Sequence, residues 1–274
     1  MKLARWLVTN ICNYNCSICW NRQKIAYGEK IEPEEEIDID LYFELFKQLN
    51  PRVLDCTGGG EPLIRKGFIE LIGKLTNNTP MYVALTTNIS RNLDKFVQQV
   101  NPKGVSTLVC SFHPDMETER PFLAKLQLLK VYGFNPRVNF VLSPFDMFQF
   151  KYYKEFFEKE GFTVHVDIYA SIPENPYRFN EAELKIINMY ASSERKEGMS
   201  ENIDKCYCDA GKEVIQITPN LDVYPCLQYS LLKRGYMGNL KGLFNTNDFD
   251  ILCDVRRQCA GCDRDHVTIK EVRD

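Results

Sequence analysis

The feature that most constrains the fold of this chain is the alternation of strand-like and helix-like segments from residue 3 to about residue 168. Apolar, β-branched runs at 3–9, 53–56, 81–87, 104–110, 135–142 and 163–168 read as strands. Amphipathic stretches at 38–49, 67–75, 93–99, 119–132 and 148–159 read as helices between them. Short connections between alternating elements require parallel strands, and six such strands in order suit a partly closed barrel. Gly133 and Gly161 each follow a helical pattern and read as C-terminal caps. The first strand carries Arg5 as its only charged residue, as burial on both faces would require. In such a barrel, chemistry collects at the C-terminal ends of the strands. The suspicious polar groups fall there: 12–19, 57–62, 86–88 and 111–113. Asn139 instead lies within its strand.

Directly after the first strand comes Thr9-Asn10-Ile11-Cys12-Asn13-Tyr14-Asn15-Cys16-Ser17-Ile18-Cys19-Trp20, with cysteines spaced C-x3-C-x2-C. Three thiolates on one tight loop can hold three corners of an iron–sulfur cube and leave the fourth iron open to a substrate or cofactor. A zinc knuckle would need four ligands and usually repeats C-x2-C pairs. A disulfide framework suits a small secreted chain in an oxidising compartment. Neither fits this loop. At the end of the second strand, Cys56-Thr57-Gly58-Gly59-Gly60-Glu61-Pro62-Leu63 lets a ligand approach bare backbone. It lacks the Lys-Ser/Thr that a phosphate loop needs.

The eleven cysteines cluster: three at 12–19, six between 206 and 262, with Cys56 and Cys110 elsewhere. The N-terminus runs straight into the first motif with no signal-peptide pattern, and no apolar run reaches membrane-spanning length. The expected compartment is the cytoplasm, where metal explains so many thiols better than disulfides do. A net charge of −3 gives no global basic footprint for nucleic acid. After Tyr169 the character changes. Residues 171–176 are turn-rich, Asn180 opens a helical pattern at 181–191 with a capping box, and 194–205 read as a charged linker. From Cys206 a short hairpin at 214–218 and 222–224 sits among cysteines, in a piece too small to bury its own core without bound metal. The expected class is therefore α/β: a partial (βα)6 TIM barrel at 1–192, a linker at 193–205, and a small cysteine-rich α+β module at 206–274.

The pair C-x3-C-x2-C and, about forty residues later, G-G-G-E-P resembles the radical S-adenosylmethionine (SAM) superfamily over residues 3–170. The resemblance implies that Cys12, Cys16 and Cys19 ligate a [4Fe–4S] cluster whose open iron chelates the amino and carboxylate groups of SAM. It implies that the peptide groups of Gly58, Gly59 and Gly60 hydrogen-bond the methionine amino group, with Glu61 shaping the turn. Trp20 matches an adenine contact, with a core tryptophan as the alternative. Thr87, Asn88 and Ser111 match contacts to ribose and carboxylate, and Asn139 another SAM contact, although such residues also cap helices and turns. The implied chemistry is reductive cleavage of SAM to a 5'-deoxyadenosyl radical that takes an unactivated hydrogen, with a flavodoxin- or ferredoxin-like electron donor.

The C-terminal pattern Cys206-x-Cys208, Cys226, Cys253, Cys259-x2-Cys262 resembles the SPASM and twitch auxiliary modules, in the shorter one-cluster twitch form. That implies Cys208, Cys226, Cys259 and Cys262 as ligands of a second [4Fe–4S], with zinc as the alternative for four thiolates. Cys206 or Cys253 could replace one of them, and Cys253 could instead be buried on a short helix at 249–255. Leu221 stands where these modules usually carry glycine, so Asn220 is expected to make the turn. The compact form resembles 2-deoxy-scyllo-inosamine dehydrogenases, which implies oxidation of an alcohol on a small sugar- or aminocyclitol-like substrate. Radical epimerisation and thioether or C–C cross-linking of a peptide are the alternatives. His113 and His165 are candidate bases, and Asp167 a hydroxyl or amine ligand, against ordinary loop or core hydrogen bonding. Cys56 and Cys110 fill the core or, for a strand-end thiol such as Cys110, return a hydrogen atom to a substrate radical.

Overall fold

The structure, a computed structural model, describes residues 1–172, 174–191, 206–242 and 244, with backbone alone at 206, 251–253 and 269–271. Six parallel strands lie side by side in sequence order: β1 (Leu3–Thr9), β2 (Val53–Gly59), β3 (Tyr82–Thr87), β4 (Val105–Ser111), β5 (Pro136–Leu142) and β6 (Val164–Ile168). The architecture is consistent with a partial barrel. β2 runs further than its apolar residues suggest, because Thr9 pairs with Gly59 and carries the ladder into the glycines.

Seven helices connect and follow these strands: α1 (Trp20–Ala26), α2 (Ile39–Leu49), α3 (Phe68–Asn78), α4 (Leu93–Gln99), α5 (Glu119–Val131), α6 (Phe150–Lys159) and α7 (Glu181–Tyr190). Asp38 caps α2 by accepting from Leu41 N at 3.1 Å, and Asn180 with Glu183 forms the expected capping box on α7. α1 has no counterpart among the expected helices. It buries none of its residues, so no apolar stripe betrays it.

Alternation along the strands divides their side chains between two faces. Ala4, Trp6 and Val8 face the helices, and Trp6 is wholly buried with its ring 5.0 Å from Phe46 and 5.9 Å from both Tyr42 and Phe68. Burying such a side chain contributes about 1.5–3 kcal/mol. Leu54, Cys56, Leu108, Cys110, Val138 and Phe140 belong to the same core. The opposite, inner face therefore carries Arg5, Thr9, Asp55, Ser111, Asn139, His165 and Asp167. Arg5 Nε meets Asp55 Oδ2 at 3.0 Å across the β1–β2 register.

The C-terminal region contains β7 (Cys206–Cys208), β8 (Val214–Ile217), β9 (Asp222–Tyr224), α8 (Leu227–Leu231), β10 (Gly238–Asn239), β11 (Ile251–Cys253) and β12 (Ile269–Glu271). β8 pairs parallel to β1, from Leu3↔Val214 to Trp6↔Ile217, so the hairpin continues the barrel sheet in the order β10-β9-β8-β1-β2-β3-β4-β5-β6. β7 instead forms an antiparallel sheet with β11 and β12. Cys253 thus ends a strand, not a helix, because it pairs with Cys206. The expected linker at 193–205 lies outside the described residues.

The hairpin turn also differs from expectation. Leu221 itself adopts the left-handed conformation, at φ 68°, and is fully buried. Burial of its side chain holds it there against strain. Asn220 is employed elsewhere: its Nδ2 donates to Pro33 O at 3.0 Å and its Oδ1 accepts from Glu35 N at 3.0 Å. Among the described residues, no helix is long and apolar enough to cross a membrane.

Candidate active site

The cysteine loop begins where β1 ends, and two sets of hydrogen bonds fix its entry. Thr9 Oγ1 accepts from Ile11 N at 3.0 Å and donates to Glu34 Oε2 at 2.6 Å, while Asn10 N donates to Glu34 Oε1. Gly60 N donates to Thr9 O at 2.6 Å and Glu61 N to Ile11 O at 2.9 Å. A β-carbon on Gly59 would stand 2.5 Å from Thr9 O, and one on Gly60 would overlap the backbone of Ile11. Gly59 also takes φ 74°. The glycine motif is thus shaped first of all by the cysteine loop lying across it.

Glu61 is nearly inaccessible and fully employed. Its Oε1 accepts from Leu63 N at 2.9 Å and Thr87 Oγ1 at 2.6 Å, and its Oε2 accepts from Asn88 N at 2.6 Å. Burial raises its carboxyl, and these bonds hold the rise in check. Thr87 Oγ1 also accepts from Ile89 N at 2.9 Å, so this hydroxyl is satisfied within the protein. Asn88 Nδ2 lies 3.4 Å from Asn13 Oδ1 and 3.9 Å from Cys12 Sγ. The ends of β1, β2 and β3 are in this way tied into one cradle around the loop.

Burial pushes the Cys16 thiol up to about 12, with the Asp115 carboxylate and the other two thiols adding to the rise. Burial raises Cys12 as well. Two buried thiols that resist ionisation, with a third on the same loop, fit a site completed by cations. Among the described residues, the ligand-type atoms gathered within 4.8 Å are those of Cys16, His113 and Asp115, not the three cysteines. The donor set and the bare glycine backbone beside it therefore fit a cluster with an open corner.

The remaining expected residues separate into groups. His113 is brought to the cysteine loop, its ring edge-on to Tyr14 at 6.2 Å, its Nδ1 buried without a partner and its pKa held low by that burial. Ser111 pairs in register with Asn139, and Asn139 with His165. Asn139 Oδ1 is buried and unpartnered. His165 Nε2 lies 3.8 Å from Asp167 Oδ1, with the imidazole half exposed. Trp20 opens α1 with Lys24 Nζ 4.4 Å above its ring. Cys110 is fully buried with the helix-facing residues, and that burial raises its thiol pKa. Cys208 is buried on β7, its Sγ accepting from Ala210 N at 3.4 Å, and Cys226 occupies the N-cap position of α8 without a side-chain capping bond. Cys259 and Cys262 lie outside the described residues.

Several site residues carry no motif. Arg65 donates to Val8 O, to Glu35 O at 2.7 Å and to Pro219 O at 3.2 Å, joining β1, the strap before α2 and the C-terminal hairpin. Ser17 N and Oγ donate to Asp115 Oδ2 at 2.7 and 3.0 Å, and Tyr14 OH donates to Glu117 Oε2 at 3.1 Å. Glu34 lies in the acidic run at 32–36, where nothing in the spacing sets it apart from its neighbours.

A family model described as the radical SAM superfamily matches residues 6–143, half of the chain. The chain belongs to the radical SAM superfamily. Among curated proteins it resembles 7,8-dihydro-6-hydroxymethylpterin dimethyltransferase of Methanocaldococcus jannaschii, at 34% identity over 123 residues. That match spans 44% of this chain and 24% of the relative. A probable GTP 3',8-cyclase of Pyrobaculum aerophilum is 36% identical over 114 residues, 41% of this chain and 35% of the relative. The chain thus matches only about a quarter to a third of the length of these relatives. Among solved structures, SAM-bound anSMEcpe superposes with a TM-score of 0.61 at 13% identity, covering 89% of this chain and 76% of that one. Streptococcus suis SuiB bound to SAM gives 0.60 at 13%, covering 88% and 63%. At this identity the likeness is one of fold. It extends over most of this chain, beyond the residues matched by the family model.

Proposed function

We propose that this radical SAM enzyme carries out a two-electron dehydrogenation of an alcohol on a small sugar- or aminocyclitol-like substrate. In this reading Cys12, Cys16 and Cys19 would hold the SAM-binding [4Fe–4S] cluster, and Cys208, Cys226, Cys259 and Cys262 an auxiliary one able to serve as an electron acceptor. When bound and reduced, such a cluster would supply the electron for reductive cleavage of SAM, the chemistry that hydrogen abstraction requires.

The chain's own residues supply position and proton transfer. The backbone of Gly58, Gly59 and Gly60 receives the methionine end of SAM, Asn88 and Ser111 offer it polar groups from strand ends, and Asn139 offers one from within β5. Thr87 acts through Glu61, since its hydroxyl is already satisfied. Trp20 stands just beyond the third cysteine for the adenine.

The observation that carries the choice of substrate is the polar inner face of β6, where His165 Nε2 lies 3.8 Å from Asp167 Oδ1. His165 takes the hydroxyl proton, and Asp167 beside it binds a substrate hydroxyl or amine. Tyr169, which follows on the same strand end, offers a further hydroxyl contact. His113 is set apart from this pair, beside Cys16.

A peptide is the second substrate class, favoured by the likeness to anSMEcpe bound to SAM and the Kp18Cys peptide (TM-score 0.60, 14% identity, 89% of this chain and 79% of that one). Epimerisation finds less support, because the strand-end thiol of Cys110 lies in the helix-facing core. The electron donor is of the flavodoxin or ferredoxin kind, and the expected compartment is the cytoplasm.

Anaerobic reconstitution followed by assay against aminocyclitols, sugar alcohols and cysteine-containing peptides tests the reading. One SAM consumed per oxidised alcohol, lost in Cys16→Ala and reduced in His165→Gln, is expected. Solvent deuterium incorporated without net oxidation would sink it in favour of an epimerase, and a cross-linked peptide in favour of the second class.

A further inference from the structure

We propose that His113 and Asp115, on the loop after β4, are positioning residues for the Cys16 corner of the cysteine loop and set the reduction potential of the cluster with opposite signs. The proposal rests on the reading that Cys12, Cys16 and Cys19 hold that cluster.

The geometry comes from three side chains converging. Cys16 Sγ, a ring nitrogen of His113 and a carboxylate oxygen of Asp115 all lie within 4.8 Å of one another. Each is held by something other than the sulfur. Asp115 Oδ2 accepts from Ser17 N at 2.7 Å and from Ser17 Oγ at 3.0 Å, so the residue after Cys16 fixes the carboxylate. The His113 carbonyl accepts from Met116 N at 2.9 Å and Glu117 N at 3.0 Å, which stiffens the loop. Glu117 in turn accepts from Tyr14 OH at 3.1 Å and pairs with Lys125 at 2.5 Å. The β4 loop thus grips the cysteine loop on both sides of Cys16.

Against that rigid frame, His113 Nδ1 is buried without a partner. A buried ring N–H costs free energy until it meets an acceptor, and a ligating sulfur lies beside this imidazole. Hydrogen bonds to cluster sulfurs and nearby charge are among the determinants of iron–sulfur potentials. An N–H directed at the Cys16 sulfur stabilises the reduced, more negative cluster and raises the potential. The Asp115 carboxylate repels the added electron and lowers it. Neither residue belongs to the C-x3-C-x2-C pattern, and each lies about a hundred positions away from it in sequence.

The test is a redox titration of the reconstituted holoenzyme, followed by electron paramagnetic resonance at one fixed pH. His113→Phe should shift the midpoint potential negative, and His113→Gln, which keeps an N–H donor, should bring it back toward wild type. Asp115→Asn, which still accepts from Ser17, should shift it positive. All three should retain wild-type iron; should His113→Phe lose iron, the other two variants decide. Unchanged potentials at full iron content, or shifts of the same sign in His113→Phe and Asp115→Asn, would overturn the proposal. Iron binding unaffected by Cys16→Ala would instead overturn the cluster reading on which it rests.

Discussion

Gly59 and Thr9 face each other so closely across β2 and β1 that a β-carbon on the glycine would stand 2.5 Å from the threonine carbonyl. The neighbouring Gly60 donates to that same carbonyl at 2.6 Å. The glycine motif and the cysteine motif are therefore packed as one body. Its glycines have to be bare before any ligand arrives, because the cysteine loop already occupies the space.

Gly60→Ala tests that dependence. The added methyl overlaps the Ile11 backbone, which cannot rotate away as a flexible side chain would. Overpacking of this kind costs about 1–3 kcal/mol. The variant should fold with near-wild-type far-ultraviolet circular dichroism, unfold earlier in urea, and take up less iron at the first cluster. Wild-type iron uptake would show that the loop can move off the glycines.

Glu61→Gln separates the cradle's hydrogen bonds from its charge. The amide can present an N–H where the carboxylate oxygen accepts from Asn88 N, leaving buried groups mispaired at about 1–3 kcal/mol. The pH dependence carries its own sign. Burial raises the folded carboxyl above its ordinary value of 4.5, so on raising the pH the unfolded chain ionises first. Wild-type stability associated with this group is full below 4.5 and lost as pH rises through the folded value. Each tenfold difference in acidity between the folded and unfolded carboxyl is worth about 1.4 kcal/mol. The difference in urea stability between wild type and Glu61→Gln should shrink across that window. A difference that grows instead would contradict it.

Leu221 predicts an inverted substitution order. A leucine at φ 68° bears about 1–2 kcal/mol of backbone strain, held by its full burial. Leu221→Ala should lose about 2–5 kcal/mol of packing while keeping the strain. Leu221→Gly loses the same side chain but relieves the strain, so it should be the more stable of the two by about 1 kcal/mol. Thermal unfolding of both variants gives the order.

Asn220→Ala addresses the join between barrel and C-terminal hairpin. Its Oδ1 is the acceptor for Glu35 N, and its Nδ2 holds Pro33 O. The variant should expose the Glu35 amide to faster hydrogen exchange while exchange in β1 stays at the wild-type rate. Arg65→Met should loosen a wider region, since it removes donors from Val8, Glu35 and Pro219 together. An unchanged Glu35 amide in both would show that the strap is held by its ion pairs, Lys233 with Glu32 and Lys241 with Glu35.

The amino-acid sequence by itself determined the six parallel strands, the five helices between them, the capping box of Asn180 and Glu183, and the proximity of motif to strand end. These follow from local periodicity and from spacings of a few residues, which short-range sterics and hydrogen bonding can enforce. It also specified three thiols on one loop, because their chemistry is written in their spacing. What only the tertiary structure decided were contacts between residues remote in sequence: Arg65 bridging Val8 to Pro219, Asp115 closing on Ser17, and β8 adding to the β1 edge. It also showed that Leu221 could bear a left-handed turn, since the strain of one residue is tolerable once its side chain is buried by the whole fold. Burial and register depend on every packed neighbour at once, and no single stretch of sequence contains them.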